Sequence, residues 1–287
     1  MPNRHLPNFS QLSTKRADQI RFKSNASSPI QDFSLLRRSL LFAEVALISY
    51  LPIDQCFLGA EKLGFREVLS FKSDEIQAYW LRSDHDSVIV CRGHEFTEWN
   101  SLKSNAIART TVAETVGRVH IGFKREADDL WPRVEHELEG NAKPLWFCGH
   151  SIGGALAVIC ASRCLLSYIK SEPVELHTFG SPRVGNRLYS NHATLKHFRW
   201  VNNNDLVPRL PPSLLGYAHS GTELYLNYLG QVRQLSGWRR IVDRAQGFYR
   251  SLLRWKIDQL SDHSIIEYID AVFEAVRAEE SSGKGHP

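Results

Sequence analysis

The sequence predicts an α/β fold: a mostly parallel central sheet, antiparallel strands on its N-terminal side, and helices on both faces. Three observations predict it. From Val88 onward, short apolar runs alternate with long helix-forming segments, a rhythm that implies right-handed crossovers between parallel strands. Before that point, short alternating runs are separated by polar turns, which suits antiparallel entry into a sheet. Finally, Leu145-Trp146-Phe147-Cys148-Gly149-His150-Ser151-Ile152-Gly153-Gly154 sets a serine between glycines where an apolar run meets a helix-forming one. That G-x-S-x-G layout is a strand turning sharply into a helix, with the serine held clear at the sheet edge.

Residues 1–30 are polar, with Pro, Asn, Ser and scattered basic side chains, and are expected to form a flexible N-terminal arm. Ser34 to Tyr50 reads as an amphipathic helix ended by Pro52. Arg66–Phe71, Glu75–Leu81 and Ser87–Cys91 read as the short antiparallel strands. The parallel strands follow at Val88–Cys91, Leu145–Cys148, Glu175–Phe179 and Phe198–Val201. The segment after Ser151 is apolar almost all round, as a buried central helix must be. No internal repeat and no Pro/Gly/Ser-rich linker divides the core, so residues 31–280 are expected to be one domain and 281–287 a disordered tail.

At 287 residues the chain can bury a sizeable core. A net charge of +4 is too mild to imply nucleic acid as a partner. No C-x-x-C or His-rich spacing suggests a metal, and the chemistry below needs no cofactor. Of the five cysteines, Cys91, Cys148 and Cys160 sit in apolar runs and read as small buried hydrophobes. A secretory leader needs an uninterrupted apolar core near the start, and a membrane helix needs about 18 apolar residues. With neither in view, the expectation is a cytoplasmic protein, with association to a membrane surface left open.

A serine hydroxyl is a poor nucleophile near neutral pH and needs an adjacent base, itself oriented by a carboxylate. In this layout the chain order is Ser, then Asp or Glu, then His. Phe198–Val201 followed by Asn202-Asn203-Asn204-Asp205 supplies an acid in a loop after a later strand, although a solvated turn aspartate has the same local pattern. His219, His263 and His286 follow that acid. His286 lies in the polar tail. His219 leads into the alternating run Thr222–Leu226, which suggests a structural role. His263 precedes Ser264 and Glu267, a capping-box spacing that starts a last helix, and a loop histidine held before a helix is well placed to be the base. His150 adjoins the serine, but a neighbour on a strained turn points away from the Oγ.

With these positions assembled, the sequence resembles the class 3 (fungal-type) lipase family. Four motifs carry the similarity, in the family's order: Val90-Cys91-Arg92-Gly93-His94, Gly149-His150-Ser151-Ile152-Gly153-Gly154, Phe179-Gly180-Ser181-Pro182-Arg183-Val184-Gly185-Asn186, and Asn204-Asp205-Leu206-Val207-Pro208-Arg209-Leu210-Pro211-Pro212. The resemblance implies an α/β-hydrolase fold, a Ser151, Asp205, His263 triad, and an oxyanion hole from the backbone N–H groups of His94 and Ile152. Gly149 and Gly153 are then the elbow glycines. The family usually places Ser or Thr where this chain has His94; only the backbone N–H is strictly needed, so activity is expected to survive. The family's lid would fall just after this turn. There Phe96, Trp99 and Leu102 lie at i, i+3 and i+6, as in a short amphipathic lid helix or as the core anchors of a fixed loop.

One stretch belongs to no family motif. From Arg233 to Lys256 there are seven Arg/Lys residues, Arg239, Arg240, Arg244 and Arg250 among them, against Asp243 alone, interleaved with Trp238, Phe248, Tyr249 and Trp255. Basic residues mixed with interfacial aromatics suit an anionic lipid surface, while a solvated helix packed on one side has the same composition. The expected function is a serine carboxylester hydrolase acting on acyl glycerides or other lipid esters. Two rival expectations are an esterase for small or aromatic (feruloyl-type) esters and a catalytically weak, membrane-binding protein on the same scaffold. Oligomeric state is not legible in the sequence.

Overall fold

Period-two alternation places the core on both sides of one sheet. In β2 (Gln77–Arg82), β3 (Ser87–Cys91) and β6 (Leu145–His150), Tyr79, Leu81, Val88, Val90, Trp146 and Cys148 face one apolar cluster. Their alternates Ala78, Trp80, Ile89, Cys91, Leu145 and Phe147 face the other, as a strand buried on both faces requires. In this computed structural model the described residues are 16–72, 76–93, 109–166, 172–192, 195–233, 238–239, 242–243, 245–246 and 263–283.

Adding β1 (Glu67–Lys72), β7 (Pro173–Phe179), β9 (His197–Asn202), β11 (Thr222–Leu226) and β12 (Val232–Arg233) gives an eight-stranded sheet in the order β1-β2-β3-β6-β7-β9-β11-β12. Strands β3, β6, β7, β9 and β11 run parallel, while β1, β2 and β12 pair antiparallel with their neighbours. Helices α1 (Leu35–Ile48) and α6 (Ile265–Ser281) pack into the first cluster, joined by the buried Cys56 and Ala60 of α2 (Ile53–Lys62). Helices α3 (Ile121–Leu138) and α4 (Ile152–Cys164) pack into the second, with Tyr189 of the short α5 (Arg187–His192). All thirteen residues of α4 are buried, because it is sandwiched between the sheet and α3. The antiparallel entry and the parallel run after Val88 are thus as expected.

Residues 16–30, expected to belong to a loose arm, lie on the core. Ala17, Ala26 and Ile30 are buried. The Glu44 carboxylate, itself buried on α1, accepts from the backbone N–H groups of Lys23 and Ser24 at 2.7 and 3.0 Å. Small side chains and one buried acceptor hold this segment down, and neither registers as an apolar block in the sequence. Likewise Ser281, expected to begin a disordered tail, closes α6.

A second, four-stranded antiparallel sheet escapes the sequence reading: β4 (Thr110–Val112), β5 (Arg118–His120), β8 (Gly185–Asn186) and β10 (Tyr217–Ala218). Strands of two or three residues are too short to show alternation. The five parallel strands matter most for function, since their C-terminal ends share one edge. There β3, β6, β7 and β9 lead into Gly93, Ser151, Gly180 and the Asp205 loop, the edge where sites in such sheets form.

Candidate active site

The turn between β6 and α4 forces Ser151 to φ 58° and ψ −131°, the one positive φ of a non-glycine among the described residues. That conformation costs on the order of 1–3 kcal/mol, and the surroundings impose it. A Cβ on Gly153 would stand 2.1 Å from the Cys91 carbonyl oxygen, and one on Gly149 would stand 2.4 Å from the Gly153 oxygen. Only glycines let strand and helix close this tightly. The Ser151 N–H donates to the Phe179 carbonyl at 2.9 Å, which ties the elbow to β7.

Around the serine the geometry is continuous. The Ser151 hydroxyl lies 2.8 Å from His263 Nε2, and His263 Nδ1 lies 2.9 Å from Asp205 Oδ2. Beside a carboxylate the Nδ1 carries the proton, which leaves Nε2 free to accept from the hydroxyl. Asp205 is fully buried and His263 nearly so. Each carboxylate oxygen has a further donor: the Val207 N–H reaches Oδ1 at 2.9 Å, and the Tyr268 hydroxyl reaches Oδ2 at 2.6 Å. His263 sits immediately before α6, whose N-cap is Ser264, accepting from the Ile266 N–H.

His263 is fixed from below as well. The His150 Nε2–H donates to the His263 carbonyl oxygen at 2.7 Å, and His150 Nδ1 accepts from the Tyr50 hydroxyl at 2.9 Å. The two imidazoles lie 4.7 Å apart, centroid to centroid. Burial first, then the neighbouring His263, hold the His150 pKa well below its ordinary value, so the ring is a neutral strut. His150 does turn away from the Oγ, but into the backbone of the base. Neither this strut nor Tyr268 is legible in the sequence, since nothing local says which distant group each will meet.

His219 stands elsewhere. Its Nε2–H donates to the Pro208 carbonyl at 2.6 Å, pinning the loop that carries the acid. Burial, with Arg199 adding to it, pushes its pKa down to about 2. Of the two histidines weighed from the sequence, the fold brings His263 to Ser151. Ile152 is the first residue of α4, so its N–H is one of the helix-start donors with no intrahelical partner. His94, Phe96, Trp99 and Leu102 lie outside the described residues, as do Arg240, Arg244 and Arg250; Arg239 is exposed. Gly93 packs on the elbow, where a Cβ would meet the Tyr50 hydroxyl at 2.5 Å and the His150 oxygen at 2.8 Å.

Comparison with known proteins gives four matches. Residues 88–215 match the family model Lipase (class 3). The secreted mono- and diacylglycerol lipase 1 of Fusarium solani is 34% identical over 119 residues, 38% of this chain and 34% of that protein; the chain thus spans about a third of that relative. Among solved structures, lipase II from Rhizopus niveus superposes with a TM-score of 0.57 at 23% identity, over 67% of this chain and 80% of that one. A triacylglycerol lipase whose catalytic centre is a serine protease triad gives 0.53 at 26%, over 66% and 77%. The fold is that of the α/β-hydrolase lipases.

The expected cytoplasmic location is corrected by the Fusarium solani relative, a secreted lipase. That expectation rested on apolar runs that were not found. Among the described residues no helix is long and apolar enough to cross a membrane, a property that proteins of many compartments share.

Proposed function

With residues 88–215 forming a class 3 lipase segment, we propose that the chain is a serine carboxylester hydrolase of acyl glycerides, acting through Ser151, His263 and Asp205. The observation that carries this reading is the unbroken line from the Ser151 hydroxyl through His263 to Asp205, at 2.8 and 2.9 Å. Ser151 Oγ attacks the ester carbonyl while His263 Nε2 takes its proton. Asp205 holds the imidazole in the required tautomer and stabilises the imidazolium. The developing oxyanion is received by the backbone N–H of Ile152, at the positive end of α4, with the N–H of His94 as the second donor that the lipase resemblance implies. His263 then protonates the departing alcohol, leaving an acyl-serine. Water, deprotonated by His263, attacks that ester, and the fatty acid leaves as Ser151 regains its proton.

The substrate reading draws support from the Fusarium solani relative, which acts on mono- and diacylglycerols. A membrane contact through Arg239, Arg240, Arg244 and Arg250 is part of the same proposal. Trp238, next to Arg239 in the chain, is 74% exposed, which suits insertion at a lipid headgroup layer. The test is a chain-length series of p-nitrophenyl esters, with and without detergent micelles, together with labelling by a fluorophosphonate. Labelling of the wild type that vanishes in Ser151→Ala, with activity favouring long acyl chains at micelles, is the expected result. Preference for short or aromatic soluble esters overturns the lipid reading. Absence of labelling overturns the enzyme reading.

A further inference from the structure

The two ends of the eight-stranded sheet carry surfaces of opposite charge. At the β1 end, that strand and α2 line a groove of about 890 Å³. Asp54, Phe57, Leu58 and Glu61 contribute from α2, an i, i+3, i+4, i+7 stripe with apolar residues in the middle and an acid at each end. All four are exposed, Phe57 by 41% and Leu58 by 47%, because α2 turns its other face, Cys56, Gly59 and Ala60, inward. Val68 of β1 completes the apolar lining. The remaining charges of the lining, Arg66 and Asp84, pair with each other at 2.6 Å. Nearby cations are engaged elsewhere: Arg16 with Asp18 at 3.4 Å, and Lys62 with the Ala17 carbonyl at 3.1 Å. The α2 side of the groove is thus apolar at its centre and acidic at both ends.

At the other end, β12 closes the sheet. Just past it Trp238 is 74% exposed and Val242 is 36% exposed, and they share a hollow with Arg233 and Arg239. The carboxylate in that hollow, Asp243, is buried and accepts from the Tyr225 hydroxyl at 2.8 Å. Arg233 and Arg239 have no carboxylate partner among the described residues. An exposed indole beside guanidinium groups complements an apolar stripe between carboxylates. Trp and Arg are enriched among the anchors of protein interfaces, and opposite charge selects the partner and its register.

We propose that the chain associates with a second copy of itself: Trp238 of one copy enters the α2–β1 groove of the next, while Arg233 and Arg239 meet Asp54 and Glu61. The two surfaces differ and lie at opposite edges of the sheet, so the contact is head-to-tail and builds rows or rings. Anionic lipid fits the groove poorly, since the acids would face its phosphates. Trp238 and Arg239 also belong to the lipid contact proposed above, so a copy engaged with its neighbour presents neither to a membrane. Assembly is independent of hydrolysis, and Ser151→Ala protein should associate as the wild type does.

Sedimentation velocity of the full chain at rising concentration tests this. The wild type should pass from monomer to larger species, less so as salt is raised. Trp238→Ser should weaken association roughly 30-fold or more, the loss expected of an interface Trp. Asp54→Asn and Glu61→Gln should each weaken it by up to about fivefold. Leu58→Arg sets a cation in the groove and should abolish entry. All four positions are exposed, so these variants keep the fold. Mixing two disabled proteins is the sharpest check. Leu58→Arg retains the indole and Trp238→Ser retains the groove, so each alone should be monomeric and the mixture should form a one-to-one dimer that grows no further. A wild type that stays monomeric at every concentration overturns the proposal. So does a mixture that stays monomeric, or association left unchanged in both Trp238→Ser and Leu58→Arg.

Discussion

The Tyr268 hydroxyl donates to Asp205 Oδ2 at 2.6 Å while accepting from the Asn202 N–H at 3.0 Å. One phenol, projecting from the first turns of α6, thereby ties the acid, its loop and the helix behind the base into one unit. Tyr268→Phe keeps the ring and removes both bonds. A hydrogen bond to a charged group is worth about 1.5–3 kcal/mol. If that support acts chiefly as the imidazolium forms, kcat falls roughly 10- to 100-fold with little change in KM. Steady-state kinetics on a soluble ester check this; an unchanged kcat would show that the Val207 N–H suffices to orient Asp205.

Gly180 tests how tightly the acid and base are set. It has φ +60°, and a Cβ there would stand 2.8 Å from Asp205 Oδ2 and 2.9 Å from His263 Nδ1. Gly216 has φ +82° with nothing within 4 Å of the same position. Alanine at either site meets the same backbone cost, about 1–2 kcal/mol. Only Gly180→Ala also pushes acid and base apart, and misplacement of about 1 Å can cost 10²-fold. The expected pair is two similarly destabilised proteins, of which only Gly180→Ala has lost kcat. Equal activities would show that the carboxylate and imidazole shift together at no cost.

His150 is predicted to be structural despite its place beside the serine. Substituting alanine leaves the His263 carbonyl and the Tyr50 hydroxyl buried without this partner, at about 1–3 kcal/mol each. His150→Ala should therefore lower unfolding stability by about 3 kcal/mol or more in urea titration. Gln, whose amide can both donate and accept, should recover part of it. A wild-type denaturation midpoint in the alanine variant would remove the strut from the account.

What the sequence revealed and what it concealed divide on locality. The elbow was readable because Gly149, Ser151 and Gly153 impose a steric demand within five residues. The choice of His263 over His219 was readable from capping chemistry at Ser264. Tyr268 and Tyr50 could not be read, since each reaches its partner across more than sixty residues. The same holds for Ala17, Ala26 and Ile30, whose anchoring depends on acceptors such as Glu44 elsewhere. The small sheet was hidden for another reason: its strands, two or three residues long, are shorter than the run of four or more alternating residues that would announce them.

Two enclosed histidines, His197 on β9 and the half-buried His219 after β10, make the last prediction, a loss of stability in acid. His197 is enclosed between Thr178 Oγ1 at 2.8 Å and Ser220 Oγ at 3.0 Å. Burial first, then Arg199 and His177, bring its pKa to about 3. His219 is brought to about 2 by burial and Arg199. Unfolded, both take a proton near pH 6.5; folded, they refuse it until far lower. Between those limits the unfolded chain binds more protons, so stability falls as pH falls, by about 1.4 kcal/mol per unit for each ring. Glu175 adds a second stage. Although burial opposes it, His177 and Lys196 lower its pKa to about 2, so its contribution is present above about 4.5 and lost below. The thermal midpoint should therefore hold steady from pH 8 to 7, decline below about 6.5, and steepen below about 4.5. His197→Gln should flatten the first decline by one proton's slope, while a wild-type midpoint unchanged down to pH 5 would show that these rings are protonated in the folded protein.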